Sequence, residues 1–355
     1  GFVLLGTSVK LRLLRNAEQG GGLFDVPPTG KVTPVNSDRR FVMNKGTTLY
    51  WSTLKMYEEC PQKFVWSKGW DQYDCGHGPG ERKPRPEQRS RHHAVFGIVI
   101  QQAVEDMYNK ELYRDPQNLV ENLLSIGERE FDRQIDKPKN KINYAEAKMT
   151  RAEMWDLCAN GITSFIETMK AHRFLGPYAK AEVDLVGWID KMNPIGGRAD
   201  TIIKRVDTGV TILDGKNTKY KMKYTDPDQL RWYALLYKLI YREMPDRLAY
   251  VWYRFPHGQK TIEKDGSETL ETGVEWIEFD EDDLKGLAQR ALDAKTGMEA
   301  ERFDPTPSPK TCDFCDFLEV CDARKAQRQA NAAKRGRKNK VAAITNGDGF
   351  VDFSL

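Results

Sequence analysis

Gly197-Arg198-Ala199-Asp200 … Leu213-Asp214-Gly215-Lys216 is the stretch on which the reading of this chain turns. Two runs with strand character, Ala199–Lys204 and Val210–Lys216, flank Val206-Asp207-Thr208-Gly209, which reads as a hairpin. With Asp207-Thr208-Gly209 as a three-residue loop, Gly209 takes the left-handed position such loops need. Val206 then pairs with Val210, and Asp200 falls opposite Lys216. Side chains two apart on a strand share a face, so Asp214 joins them. The expectation is one patch holding Asp200, Asp214 and Lys216, which a one-residue slip would scatter.

Two neighbouring carboxylates repel each other unless a cation sits between them. Oxygen ligands of this kind suit Mg²⁺ or Mn²⁺. Such an ion acidifies a bound water and offsets charge on a phosphate oxygen. Lys216 is placed to orient the attacking water or to steady transition-state charge. The plainer alternative is a surface hairpin carrying a weak Asp–Lys pair. Glu182, on the preceding strand Ala181–Ile189, is either a further carboxylate of this centre or a solvated strand residue.

Outward from the hairpin, helix and strand patterns interleave. Helical patterning runs over Thr48–Trp66, His93–Tyr113, Tyr144–Phe174, Asp226–Glu243 and Glu281–Met298. Leu248–Phe255 and Val274–Phe279 read as further strands, and Asp71–Ser90 as a loop. The 355 residues are 39% hydrophobic, enough for a sizeable core. The pattern predicts one α/β domain over 46–324, an irregular segment over 1–45 and a basic, unstructured tail over 325–355. Lys219, Lys221 and Lys223 alternate with Tyr220, Met222 and Tyr224; extended, they form either a phosphate-contacting stripe or a solvated edge strand.

A formal net charge of +3 does not by itself name a nucleic-acid partner. No apolar run approaches the ~20 residues needed to span a bilayer. Residues 1–16 carry basic but no acidic side chains, which leaves organellar targeting open. Six cysteines in so long a chain are not a disulfide framework, and they favour a reducing compartment, cytoplasm or nucleoid. Cys60, with Cys312, Cys315 and Cys321 in a C-x2-C-x5-C run, offers four thiolates, which suit zinc or an iron–sulfur cluster. Cys75 and Cys158 read as buried small hydrophobes.

The motifs, in this order, resemble the PD-(D/E)XK nuclease superfamily, in particular its RecB-type iron–sulfur branch of CRISPR-associated and AddB-like nucleases. Gly197–Asp200 matches the G-x-x-D motif, Asp214–Lys216 the D-x-K motif, and Gln229-Leu230-Arg231-Trp232-Tyr233 the Q-x-x-x-Y helix. Tyr57-Glu58-Glu59-Cys60-Pro61-Gln62-Lys63-Phe64 is similar to the family's first-cysteine helix. The resemblance implies a restriction-endonuclease-like mixed sheet flanked by helices and a helical region stapled by a [4Fe–4S] cluster on Cys60, Cys312, Cys315 and Cys321. It implies a catalytic set of Asp200, Asp214, Lys216, Gln229 and Tyr233, with Asp200, Asp214, Glu182 and Gln101 as metal ligands. Gln101 departs from the pattern: it stands where the family carries a His, in Gly97-Ile98-Val99-Ile100-Gln101. The implied activity is a Mg²⁺- or Mn²⁺-dependent DNA exonuclease acting on single strands or ends in recombination, repair or replication. The alternatives are a non-catalytic DNA-binding module, or a subunit that needs a helicase or integrase-like partner.

Overall fold

The computed structural model describes residues 47–68, 92–140, 142–218, 221, 225–262, 266–312, 315, 317, 321–329 and 331. The expected irregular segment 1–45, the loop 71–90 with Cys75, and residues 330 and 332–355 of the expected tail lie outside the described residues.

Eight strands are described: β1 (Leu49–Tyr50), β2 (Ala179–Trp188), β3 (Pro194–Arg205), β4 (Gly209–Lys216), β5 (Arg247–Trp252), β6 (Lys260–Ile262), β7 (Glu268–Leu270) and β8 (Val274–Ile277). Six form one mixed sheet in the order β1-β3-β4-β5-β8, with β2 also pairing β3; β6 and β7 form a separate pair. Along β5, Leu248, Tyr250 and Trp252 enter one apolar cluster, while Ala249 and Val251 enter another. That period of two, apolar on both faces, demands helices on both sides of the sheet.

The first face is covered by α1 (Trp51–Glu59), α2 (Pro61–Lys68), α7 (Pro227–Tyr241) and α8 (Glu281–Glu299). The second is covered by α3 (His92–Asn109), α4 (Leu119–Ile135) and α6 (Arg151–Ala171). Two short helices, α5 (Tyr144–Ala147) and α9 (Pro309–Cys312), lie outside these layers of long helices. Each large side chain buried in these clusters contributes roughly 1.5–3 kcal/mol.

Several expectations need correction. Thr48–Trp66 is not one helix: Leu49–Tyr50 is a strand, and the helix breaks at Cys60, which is extended (φ −166°, ψ 105°). Pro61 is the reason. It clashes with a helical residue before it, yet its own fixed φ suits the first position of α2. α4 lies in a stretch to which the sequence reading assigns no element, and buries Leu119, Leu123, Ile126 and Phe131 against α3 and α6. Residues 322–329 are helical, with Arg324 buried and Gln327 Nε2 donating to Pro307 O at 3.0 Å.

The β3–β4 register also differs. Arg205 pairs with Gly209, and Thr201 with Leu213, so the ladder carries on to set Asp200 opposite Asp214 rather than Lys216. Gly209 does take the left-handed conformation (φ +69°), but as a paired residue closing a loop of Val206, Asp207 and Thr208. The difference is a shift of two positions, which preserves faces.

Candidate active site

β4 and β5 run parallel, with Asp214 beside Tyr250 and Lys216 beside Trp252. A parallel pair needs a crossover, and α7 supplies it. Trp232 Nε1 donates to Gly196 O at 3.0 Å and fixes α7 over β3. Gln229 and Tyr233, four residues apart, share one helical face, and that face is held over the end of β4.

Gln229 is the hub. Its Nε2 donates to Asp214 Oδ1 at 3.0 Å and to the Tyr233 hydroxyl at 3.2 Å. Its Oε1 accepts from Lys216 Nζ at 3.1 Å. Lys216 Nζ also lies 2.5 Å from Asp214 Oδ2 and 5.4 Å from the Tyr250 ring centroid. That ion pair lacks hydrogen-bond geometry, so Asp214 Oδ2 is buried without a hydrogen-bond partner. Asp200 Oδ2 accepts from Gly215 N at 2.8 Å. Gly215 has no room for a side chain: a Cβ there would lie 1.8 Å from the Tyr253 hydroxyl.

Electrostatically the site favours a cation. Burial pushes the Asp200 carboxyl well above the usual range, and the charge on Asp214 pushes it further. Burial also raises Asp214, with Lys216 opposing. Burial raises the Tyr233 phenol, and Asp214 adds to that shift. Two buried acids side by side, both resisting ionisation, are the chemistry of a site completed by a divalent ion.

Glu182 and Gln101 adjoin this group. Ala181 pairs with Thr201 and Val183 with Ala199, which sets Glu182 opposite Asp200. Glu182 has φ +50°, a left-handed conformation inside a strand. Such strain costs about 1–3 kcal/mol for a non-glycine residue and re-aims the side chain. Gln101 Nε2 donates to Glu182 Oε1, so the amide presents its donor to the carboxylate. Arg198 joins the cluster, its NH1 3.4 Å from Glu182 Oε2 and its Nε 2.8 Å from Asp184 Oδ1.

Three neighbours escaped the sequence reading. Glu105 lies one turn beyond Gln101; burial raises its carboxyl, and Glu182 adds to the shift. Its i+4 spacing from Gln101 was the available signal. Tyr253 and Arg198 had none, because strand pairing brings them in. Of the lysine stripe, Lys221 alone is described, and it is not in an extended segment. Lys221 is helical and its Nζ pairs with Glu271 Oε2 at 2.5 Å, while Lys219 and Lys223 lie outside the described residues.

The four motif cysteines line one cavity, together with Gln62, Lys63, Trp66 and Arg324. Cys60 sits between α1 and α2; Cys312 ends α9. Cys60 Sγ accepts from Lys63 N at 3.5 Å, and Cys321 Sγ lies 3.7 Å from Gln62 Oε1. Burial raises the Cys315 thiol, with Cys312 and Cys60 adding to the shift. The α1 and post-α8 segments meet here through other contacts too: Thr306 Oγ1 donates to Glu59 O at 2.8 Å, and Tyr57 OH to Arg302 O at 3.0 Å. In this conformation no three His, Cys, Asp or Glu side chains among the described residues are arranged to hold a metal ion. Cys158 is buried as expected, its thiol pushed up to about 12 by burial.

The profile of the PD-(D/E)XK nuclease superfamily matches residues 51–322. The chain belongs to this superfamily. Membership supports a nuclease, with DNA as the substrate class and Mg²⁺ or Mn²⁺ as the usual metal of such enzymes. Among curated proteins none matches. Among solved structures, the crystal structure of SSO0001 matches at 16% identity and a TM-score of 0.29, over 65% of this chain and 97% of that one. The mixed sheet flanked by helices is consistent with the PD-(D/E)XK fold. No helix among the described residues is long and apolar enough to cross a membrane.

Proposed function

We propose that this PD-(D/E)XK protein is a metal-dependent DNA exonuclease acting on single strands or DNA ends. The observation that carries the reading is the Gln229 hub, which ties Asp214, Lys216 and Tyr233 into one unit beside Asp200. Asp200 and Asp214 would hold the ion, with Glu182 as a further carboxylate and Gln101 at the edge of the set. Bound Mg²⁺ or Mn²⁺ supplies Lewis acidity at a phosphate oxygen and a more acidic water. Lys216 offers its ammonium to the non-bridging oxygens of the scissile phosphate. Gln229 keeps Lys216 and Asp214 in register, and Tyr233 keeps Gln229 in place, so no side-chain search precedes the chemistry.

Cys60, Cys312, Cys315 and Cys321 suit a [4Fe–4S] cluster by donor type, and all four line one cavity. Such a cluster would be structural, tying the helix break at Cys60 to the segment carrying Cys312, Cys315 and Cys321 and closing a very long loop. A helicase partner is the proposed source of any unwinding in repair, recombination or replication.

End-labelled linear single strands and closed single-stranded circles, each with Mn²⁺, test the exonuclease reading. Linear substrate should shorten from one end while circles persist; rapid nicking of circles would replace the exonuclease with an endonuclease. A DNA-binding module is the second reading, favoured by Gln101 directing its amide donor at Glu182. Gln101→His should lower the Mn²⁺ concentration that gives half-maximal cleavage. Cleavage that appears only in that variant would make the natural chain the binding module.

A further inference from the structure

Tyr250 lies on β5 beside Asp214 of β4 and is fully buried, so no substrate reaches it. Both ends of its side chain nonetheless touch the candidate active site. Lys216 Nζ sits over the ring, 5.4 Å from its centroid. The phenol reaches the start of α7: Tyr250 OH donates to Asp226 O at 2.5 Å and accepts from Asp226 N at 3.1 Å.

A cation within ~6 Å of a tyrosine face is attracted by the ring quadrupole, and more strongly out of water. The Lys216 side chain is only 22% exposed. Its other partners are Asp214 and Gln229. Asp214 is also the carboxylate assigned to the ion, so the ring and Gln229 are the partners of Lys216 with no second duty. At the phenol end, Asp226 is the residue before α7, and its side chain does not cap the helix. Its carboxylate pairs with Lys55 Nζ at 2.6 Å, a partly exposed contact of small worth. The phenol supplies the backbone tie instead. Asp226 O also accepts from Gln229 N at 2.9 Å. One carbonyl thus joins the Tyr250 hydroxyl to Gln229, whose side chain contacts Asp214, Lys216 and Tyr233. Burial raises the phenol's pKa and the Asp214 charge adds to the shift, so the hydroxyl keeps its proton and stays a donor.

We infer that Tyr250 is a positioning residue of the hydrolytic centre: its ring seats the Lys216 ammonium while its hydroxyl fixes the start of α7. One stiff side chain then sets both members of the Lys216–Gln229 contact. The inference rests on the nuclease reading and adds to it a residue outside the D-x-K and Q-x-x-x-Y motifs. The competing role is packing alone, since Tyr250 also lies 5.6 Å from the Trp252 ring in the core.

The test uses the full chain as wild type, Tyr250→Phe and Tyr250→Leu. Lysine isotope-labelled at Cε is followed by NMR in EDTA, and cleavage of single-stranded DNA is measured with Mn²⁺. The signal missing from Lys216→Arg assigns the Lys216 ε-methylene. The ring should shift it upfield of the exposed lysines in wild type and in Tyr250→Phe, and Tyr250→Leu should abolish the shift. Tyr250→Phe should lose about ten-fold in kcat and Tyr250→Leu about a hundred-fold, since a catalytic group misplaced by ~1 Å costs up to about 10²-fold. KM should not change, because Tyr250 touches no substrate. Packing alone predicts a lower Tm with wild-type kcat wherever the variants are folded, and that result overturns the inference. So does a wild-type Lys216 signal among those of the exposed lysines. If Tyr250→Leu does not fold, the wild-type spectrum and Tyr250→Phe decide. With no wild-type cleavage the nuclease reading falls, and the spectra alone decide whether Tyr250 seats Lys216.

Discussion

Asp200 and Asp214 sit where a carboxylate is least at ease without a cation. Both are held up in pKa by burial, and for Asp200 the neighbouring charge adds to it. The sign of the linkage follows. A folded-state pKa above the unfolded value means a contribution complete below the unfolded aspartate pKa of ~3.9 and lost as pH rises through the folded value. The metal-free protein should therefore lose thermal stability as pH climbs from acid to neutral, and Mn²⁺ should restore it. Asp200→Asn removes the ionisation, so its metal-free Tm should exceed wild type at pH 8 and approach it at pH 4. Melting curves with EDTA check this; a variant less stable than wild type at pH 8 would contradict the charge strain assigned to the site. At this scale the sequence was most legible. Asp200, Asp214, Lys216, Gln229 and Tyr233 all fall in short motifs, and the fold gathers them. Glu182's left-handed backbone was not legible, because no residue type announces it.

At the scale of elements, the D-x-K strand depends on what lies behind it. The middle residue is glycine because the Tyr253 hydroxyl occupies the space its Cβ would take. Gly215→Ala should cost about 1–3 kcal/mol through overpacking. Tyr253→Phe, which deletes the offending oxygen, should return part of that stability in the double variant. Denaturant unfolding of the four proteins measures the coupling, and strict additivity would mean that the two groups do not touch. Alternation revealed the strands, but not the pairing. The β3–β4 register sits two positions from the expected one, since loop length alone did not say whether Gly209 belonged to the loop or the ladder. α4 went unread although Leu119, Leu123 and Ile126 keep a helical period. Lys221 pairs with Glu271, distant in sequence, which no local pattern forecasts.

Across the whole molecule, the chain's described ends meet at the cysteine cavity, while the sheet carries the carboxylates. If a cluster closes that loop, Cys315→Ala should lose the brown chromophore and about 5–6 kcal/mol of stability, on loop-closure grounds for so long a loop. Absorbance and Tm read the two effects. Loss of the chromophore with an unchanged Tm would leave Tyr57, Thr306 and the helical contacts as the only staple. Cysteine spacing made the grouping legible, while the choice of metal rested on resemblance, because four thiolates serve zinc and iron alike.

The central claim, that Asp200, Asp214 and Lys216 form a hydrolytic centre, is tested most directly by cleavage of labelled single-stranded DNA with and without Mn²⁺, beside Asp214→Ala. The account predicts cleavage that needs the metal and falls by roughly three orders of magnitude or more in the variant, several kcal/mol of transition-state stabilisation. Equal cleavage by the folded Asp214→Ala protein would contradict it.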